Sequence, residues 1–249
     1  MRALLALLLL VVALWADPAL ADDLDVDLSK PDVRLDVSFE GSDLLLFGAK
    51  DLAGDVIVVV RGPAKDTSVR FKERIAGIWV STDEVIFADA PSFYALASSR
   101  PLADLLPASV LQAEKIGTEH LDLQVTAKPD GADAARVQSF YDGLVRNMVR
   151  KNLYTDSAHQ IGLIGKQLFR TDLWFPANVA VGDYSIDTYM IVDGHIETKK
   201  TTHLQVHKVG LEAQIYDFAH QHALIYGLLA IVIAVVSGWS ANAVFKKRA

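Results

Sequence analysis

The stretch from Ala223 to Phe245 contains no Asp, Glu, Lys or Arg, and Lys246, Lys247 and Arg248 follow it at once. A helix rises about 1.5 Å per residue, so roughly 20 apolar residues cross a hydrocarbon core about 30 Å thick. Residues 223–245 are therefore expected to form a transmembrane helix. The basic tail, 246–249, belongs on the cytoplasmic side, where positive flanks are retained. Everything upstream is what this anchor holds at a bilayer.

The chain also begins with an apolar run, of a different kind. Arg2 supplies a short positive start, Ala3 to Trp15 an apolar centre, and Ala19-Leu20-Ala21 a small-x-small cleavage site before Asp22-Asp23. Residues 1–21 thus have the layout of a secretory signal peptide, too short to span comfortably. Export followed by one late span places residues 22–222 outside the cytoplasm. The expected layout is an exported domain at 22–215, a juxtamembrane segment at 216–222, and then the span. The expected location is a bacterial inner membrane with the domain in the periplasm.

Removing Arg2 and Asp17 with the leader, and Lys246, Lys247 and Arg248 with the tail, lowers 24 basic and 31 acidic residues to 20 and 30, a net charge of −10. Such a domain repels nucleic acid and anionic lipid as broad electrostatic partners. It has no cysteine, which excludes structural disulfides, thiol catalysis, Cys-held zinc and iron–sulfur clusters. Its stability must come from packing.

Short β segments dominate from Leu24 to about Ala97. Val33, Leu35, Val37 and Phe39 alternate with Arg34, Asp36 and Ser38, and Asp55 to Arg61 is a β-branched run closed by Gly62-Pro63. From Pro101 the pattern turns helical. Pro107 opens a helix running to Lys115, and Ala132 to Tyr154 places Val137, Phe140, Tyr141, Leu144 and Met148 on one face. Arg136, Arg146, Arg150 and Lys151 lie on or near the other face, as a solvated stripe or a contact for an acidic partner. A further helix is expected over Ser157 to Phe169. Strands resume at about Thr171, and Asp193-Gly194 is a strong hairpin signal between Ser185–Val192 and Ile196–Val209. Gly182-Asp183-Tyr184 matches the tyrosine-corner region of immunoglobulin-like sandwiches. The expected fold is mainly β, an immunoglobulin-like antiparallel β-sandwich with a helical insertion at about 100–169, plus one C-terminal transmembrane helix.

Catalytic signatures are missing. The chain has no nucleophile elbow, no H-E-x-x-H, no P-loop and no dinucleotide fingerprint. Gly162-x-x-Gly165-Lys166 lacks the rest of the Walker spacing. Paired carboxylates such as Asp25/Asp27 and Asp83/Glu84 fall on exposed stretches and read as solvated charge. Histidine alone is skewed, with His195, His203, His207, His220 and His222 late in the domain. Converging imidazoles bind transition metals, so His195, His203 and His207 are candidate ligands. In a strand, however, four residues separate His203 from His207 by about 13 Å. No cofactor is implied.

The span carries the most specific pattern. Gly227, Ala230, Ala234, Gly238 and Ala241 recur at steps of three and four, a stripe of small residues along one face. Small stripes let helices approach closely in lipid, where packing drives association. This face is a candidate for pairing with another membrane protein or with a second copy. Tyr226 and Trp239 fit interfacial anchoring, although Trp239 sits rather deep.

Several segments together carry a resemblance: Val37-Ser38-Phe39-Glu40-Gly41 leading to Leu46-Phe47-Gly48-Ala49, Val60-Arg61-Gly62-Pro63, Gly77-Ile78-Trp79-Val80 and Pro91-Ser92-Phe93-Tyr94. With the leader, the Gly182-x-Tyr184 hairpin and the C-terminal span, the chain resembles the alphaproteobacterial putative transmembrane protein family over nearly its full length. The resemblance implies an inner-membrane protein with a periplasmic domain. It transfers no catalytic residue, and it suggests a sulfite-exporter-type permease as partner. Two readings of function follow. One is a non-enzymatic accessory or binding subunit of a membrane complex. The other is a periplasmic metal-binding sensor or enzyme using the late histidines.

Overall fold

The computed structural model describes residues 24–246 apart from 37, 52 and 76; the side chains of 211–214, 217 and 242–246 are not described. The leader and the end of the basic tail, 247–249, lie outside the described residues. The fold is mainly β, with an apolar helix at its C-terminal end.

A four-stranded sheet has the order β1 (Leu24–Leu28), β3 (Gly41–Lys50), β11 (Leu168–Pro176), β10 (Gly162–Ile164). Strict alternation organises it. In β11, Phe169, Thr171, Leu173 and Phe175 are buried, whereas Leu168, Arg170, Asp172 and Trp174 face solvent, as a strand with one covered face requires.

A six-stranded sheet has the order β2 (Asp32–Leu35), β13 (His195–Lys208), β12 (Gly182–Val192), β4 (Asp55–Arg61), β7 (Tyr94–Ser98), β9 (His159–Gln160). Its end pairs, β2 with β13 and β7 with β9, are parallel; the rest are antiparallel. The expected turn holds: Asp193 and Gly194 take φ of 50° and 80°, the left-handed pair that a two-residue hairpin demands. β4 is buried throughout its Val56–Val60 run, because both of its faces are covered. Its residues share one hydrophobic cluster with Leu44, Leu46 and Phe175 of the four-stranded sheet and with Leu105, Leu111 and Ile116 of the helical segment.

That segment contains α1 (Leu102–Leu105), α2 (Ala108–Ala113), a 3-10 turn at Thr118–His120 and α3 (Ala134–Arg150). Pro101 and Pro107 stand at the N-caps of α1 and α2. Asp133 caps α3, its side chain accepting from the Arg136 N–H at 2.7 Å. The apolar face of α3 covers a third sheet of order β5 (Ala64–Ile75), β6 (Ile78–Pro91), β8 (Gln124–Ala127). Phe140 and Leu144 there join Val85, Phe87 and Ala90 in a smaller core.

The helix expected over Ser157 to Phe169 is absent. Residues 159–160 and 162–164 are strands, and β10 turns back into β11 through Gly165 at φ 67°. Glycine tolerates that conformation and weakens a helix by about 1 kcal/mol relative to alanine. The helical pattern therefore stops at Arg150, and the Gly162–Lys166 run is a hairpin corner.

After β13, Leu211–Gln221 forms α4 and Ala223–Lys246 forms α5. Over Ala223–Ala241, α5 has the length and hydropathy of a membrane span, and none of it is buried within the molecule.

Candidate functional site

Polar side chains concentrate on the outer face of the six-stranded sheet, beneath the end of α2. Register creates this arrangement. Val59 pairs with Asp187, which pairs with Thr201; Ile57 pairs with Tyr189, which pairs with Lys199. Directly paired residues share a face, so Asp187, Tyr189, Lys199 and Thr201 emerge together, with Arg61 at the end of β4.

The Arg61 guanidinium donates to the Asp187 carboxylate at 2.6 Å and to the carbonyls of Glu114 and Lys115 at 3.0 and 3.1 Å. The pair is largely withdrawn from solvent, at 21 % and 11 % side-chain exposure. Asp187 also accepts from the Thr201 hydroxyl at 2.7 Å. Lys199 lies 3.4 Å from Glu114 and 3.6 Å from Asp187, with its ammonium 5.0 Å from the centre of the Tyr189 ring. Burial pulls the Lys199 ammonium down, but its contacts with Tyr189, Asp187 and Glu114 outweigh that and hold it above its ordinary value. Tyr94 completes the cluster. Its hydroxyl accepts from the Gly117 N–H at 2.8 Å, and burial pushes its phenol up to about 12.

Chemically, this cluster is a clamp. Arg61 spends its donors on one carboxylate and two backbone carbonyls, fixing the α2–Gly117 loop to the sheet. Charge-assisted bonds of this kind are strong and directional. Sequence reasoning missed the cluster because Arg61, Glu114, Asp187 and Lys199 belong to no local motif. The available signals were an arginine ending a buried β-branched run and an aspartate inside Ile186–Met190.

Lys50 is a second buried cation. Its ammonium donates to the Gly54 carbonyl, and burial, opposed by nearby Asp55, pulls it below its ordinary value. Asp55 in turn accepts from Ser99 at 2.8 Å and from Arg100 at 2.6 Å.

The candidate metal ligands are not brought together. His195, His203 and His207 are strung along β13, all exposed. His195 contacts the Asp193 carbonyl oxygen at 3.0 Å, and His207 lies 3.5 Å from Asp32. Near the bilayer, His220 packs on Tyr216 with ring centres 4.0 Å apart. Among the described residues, no three His, Asp or Glu side chains gather as a metal-holding group. The basic stripe of α3 is partly committed: Arg136 binds Asp83 at 2.7 Å and stacks 4.8 Å over Phe71. Arg146 and Arg150 line a groove against Arg70 and Lys72 of β5.

The small residues of α5 are open. A Cβ added at Gly227 or Gly238 would meet nothing within 4 Å, and the large side chains around them, such as Leu224 at 92 % and Trp239 at 73 %, are exposed. An apolar surface of this extent is stable only in lipid or against another protein.

No curated protein matches the chain. The model of one family matches residues 23–247, from the start of β1 through the apolar helix. The chain belongs to the alphaproteobacterial putative transmembrane protein family and is a membrane protein.

Proposed function

We propose that this protein is a single-pass inner-membrane subunit that presents its β domain to the periplasm and serves, without enzymatic activity of its own, as an accessory or binding component of a membrane complex. The observation that carries this reading is α5: a span-length helix with no cover from its own domain and a small-residue face open along its length. Such a face lets a second helix approach closely. The basic residues after Phe245 favour an inward C-terminus, and the leader-like start favours an exported domain. The domain is 22–215, with 216–222 leading to the span.

The domain itself we read as an immunoglobulin-like sandwich of the four- and six-stranded sheets. The Tyr184 hydroxyl donates to the Ala180 carbonyl four residues upstream at 2.7 Å, which supports the tyrosine-corner reading. The partner is a membrane protein, with a sulfite-exporter-type permease the first candidate, or a second copy of this chain.

Replacing Ala230, Ala234 and Gly238 together with Leu tests the reading. Co-purification of the partner from detergent-solubilised membranes should be lost while the chain still inserts. Undiminished association would overturn the role of this face.

A further inference from the structure

The β5–β6 hairpin ends in an apolar tip. Ile75, Ile78, Trp79 and Val80 are exposed, Ile78 by 69 % and Trp79 by 67 %. Arg74 pairs across the hairpin with Trp79, and Lys72 with Ser81, so the tip carries aromatic and aliphatic bulk with two cations just behind it. Glu73 is the one carboxylate among 72–80. A surface hairpin that kept its tip in water would gain nothing from this composition. Each large aliphatic side chain left exposed forgoes the favourable removal of its apolar area from water.

The place where the hairpin springs from the sheet gives the tip a target. Arg61 pairs with Ser185, and Ser185 pairs with His203. The end of β4 thus lies at the same end of the sheet as the last residues of β13. Pro63, which opens the hairpin, packs against Gly182, and Gly182 pairs with Val206. The hairpin therefore leaves the sheet beside the point where the chain departs for α4 and the span.

Lengths are compatible. An upright helix of 11 residues, the length of α4, holds the sheet end about 17 Å above the start of the span at 1.5 Å per residue. The 14 residues of β6 extend roughly 46 Å at 3.3 Å per residue. An arm more than twice the height of the stalk, rooted at the same end, can reach the surface of the bilayer even when inclined.

We propose that the tip of this hairpin inserts into the interface of the bilayer that α5 crosses, giving the domain a second attachment that fixes its orientation. Trp79 occupies the headgroup level that indoles prefer, and Ile75, Ile78 and Val80 enter the acyl boundary. Lys72 and Arg74 keep their charges among the phosphates while their stems lie along apolar surface. Because tip and domain lie on one side of the span, the attachment holds whichever compartment the domain faces. It is also independent of any partner of the α5 stripe.

The natural absence of cysteine makes the test direct. Single variants Ile78→Cys and Trp79→Cys, and the control Glu197→Cys near the opposite end of the sheet, are labelled with an environment-sensitive fluorophore. The full chain is then reconstituted alone in vesicles of phosphatidylethanolamine and phosphatidylglycerol. Labels at 78 and 79 should emit to the blue of the control and be quenched by nitroxides on shallow acyl positions, about 5–10 Å deep, while aqueous iodide quenches only the control. Aqueous emission at 78 and 79 would overturn the proposal. So would a blue shift without lipid quenching, which would show the tip docked on protein.

Discussion

Arg61 and Asp187, 126 positions apart in sequence, meet at 2.6 Å on the outer face of the six-stranded sheet, and the same guanidinium holds the carbonyls of Glu114 and Lys115. Removing the guanidinium leaves largely buried Asp187 with only the Thr201 hydroxyl and Lys199, and strips the two carbonyls of their donor. Arg61→Met should therefore lower stability by about 3 kcal/mol and loosen the α2–Gly117 loop. Asp187→Leu added to Arg61→Met should recover part of the loss. Thermal unfolding of the purified full chain in detergent, followed by circular dichroism, gives both values; strict additivity would contradict direct coupling.

Tyr184 makes a simpler prediction. Its hydroxyl binds the Ala180 carbonyl at 2.7 Å, and burial pushes its phenol up to about 12. Tyr184→Phe should cost about 1 kcal/mol with the hairpin otherwise intact. A raised folded value means the neutral phenol stabilises the fold fully below the ordinary value near 10. That contribution disappears as pH rises towards 12. The stability gap between Tyr184→Phe and the parent should therefore change only in that alkaline window, measured by urea unfolding at several pH values.

Asp55 has the opposite sign. The hydrogen bond from Arg100, opposed by burial and aided by Ser99, holds its carboxyl below its ordinary value. Its contribution is present above the ordinary range near 4 and is lost as pH falls through the folded value. Asp55→Asn should lower the melting temperature at pH 7, and its difference from the parent should shrink as pH falls below the ordinary range near 4. Because Arg100 is half exposed, the loss should be a few degrees.

Gly48 admits no side chain. A Cβ there would overlap the Asp25 carbonyl oxygen and the Phe169 ring, at the point where β3 is paired with β1 on one side and β11 on the other. Gly48→Ala should destabilise by about 1–3 kcal/mol and increase amide exchange in β1, read by hydrogen–deuterium exchange.

Much of this architecture was legible from the chain. The β-branched run of β4, the strands resuming near Thr171 and the Asp193-Gly194 turn are local signals, and α5 announces itself by length and lack of charge. The region after Arg150 was not. Ile161, Ile164, Leu168 and Phe169 fit a helical spacing, yet Gly162 and Gly165 favour the hairpin that pairing with β3 completes. The Arg61 cluster was illegible for a different reason. Its members come from β4, β7, the end of α2, β12 and β13, and only the fold places them together. The stripe of α5 was visible as spacing, and the fold shows that its own domain leaves it uncovered.

The pairing of that stripe is measured most directly by photocrosslinking in native membranes. A photoreactive residue at Ala234 lies on the small-residue face, and one at Val236 lies on the opposite face of the same helix. A discrete protein adduct from position 234, absent from position 236 and lost when Ala230 and Gly238 are changed to Leu, is the expected result. Equal adducts from both positions, or none from either, would contradict a subunit that works through this face.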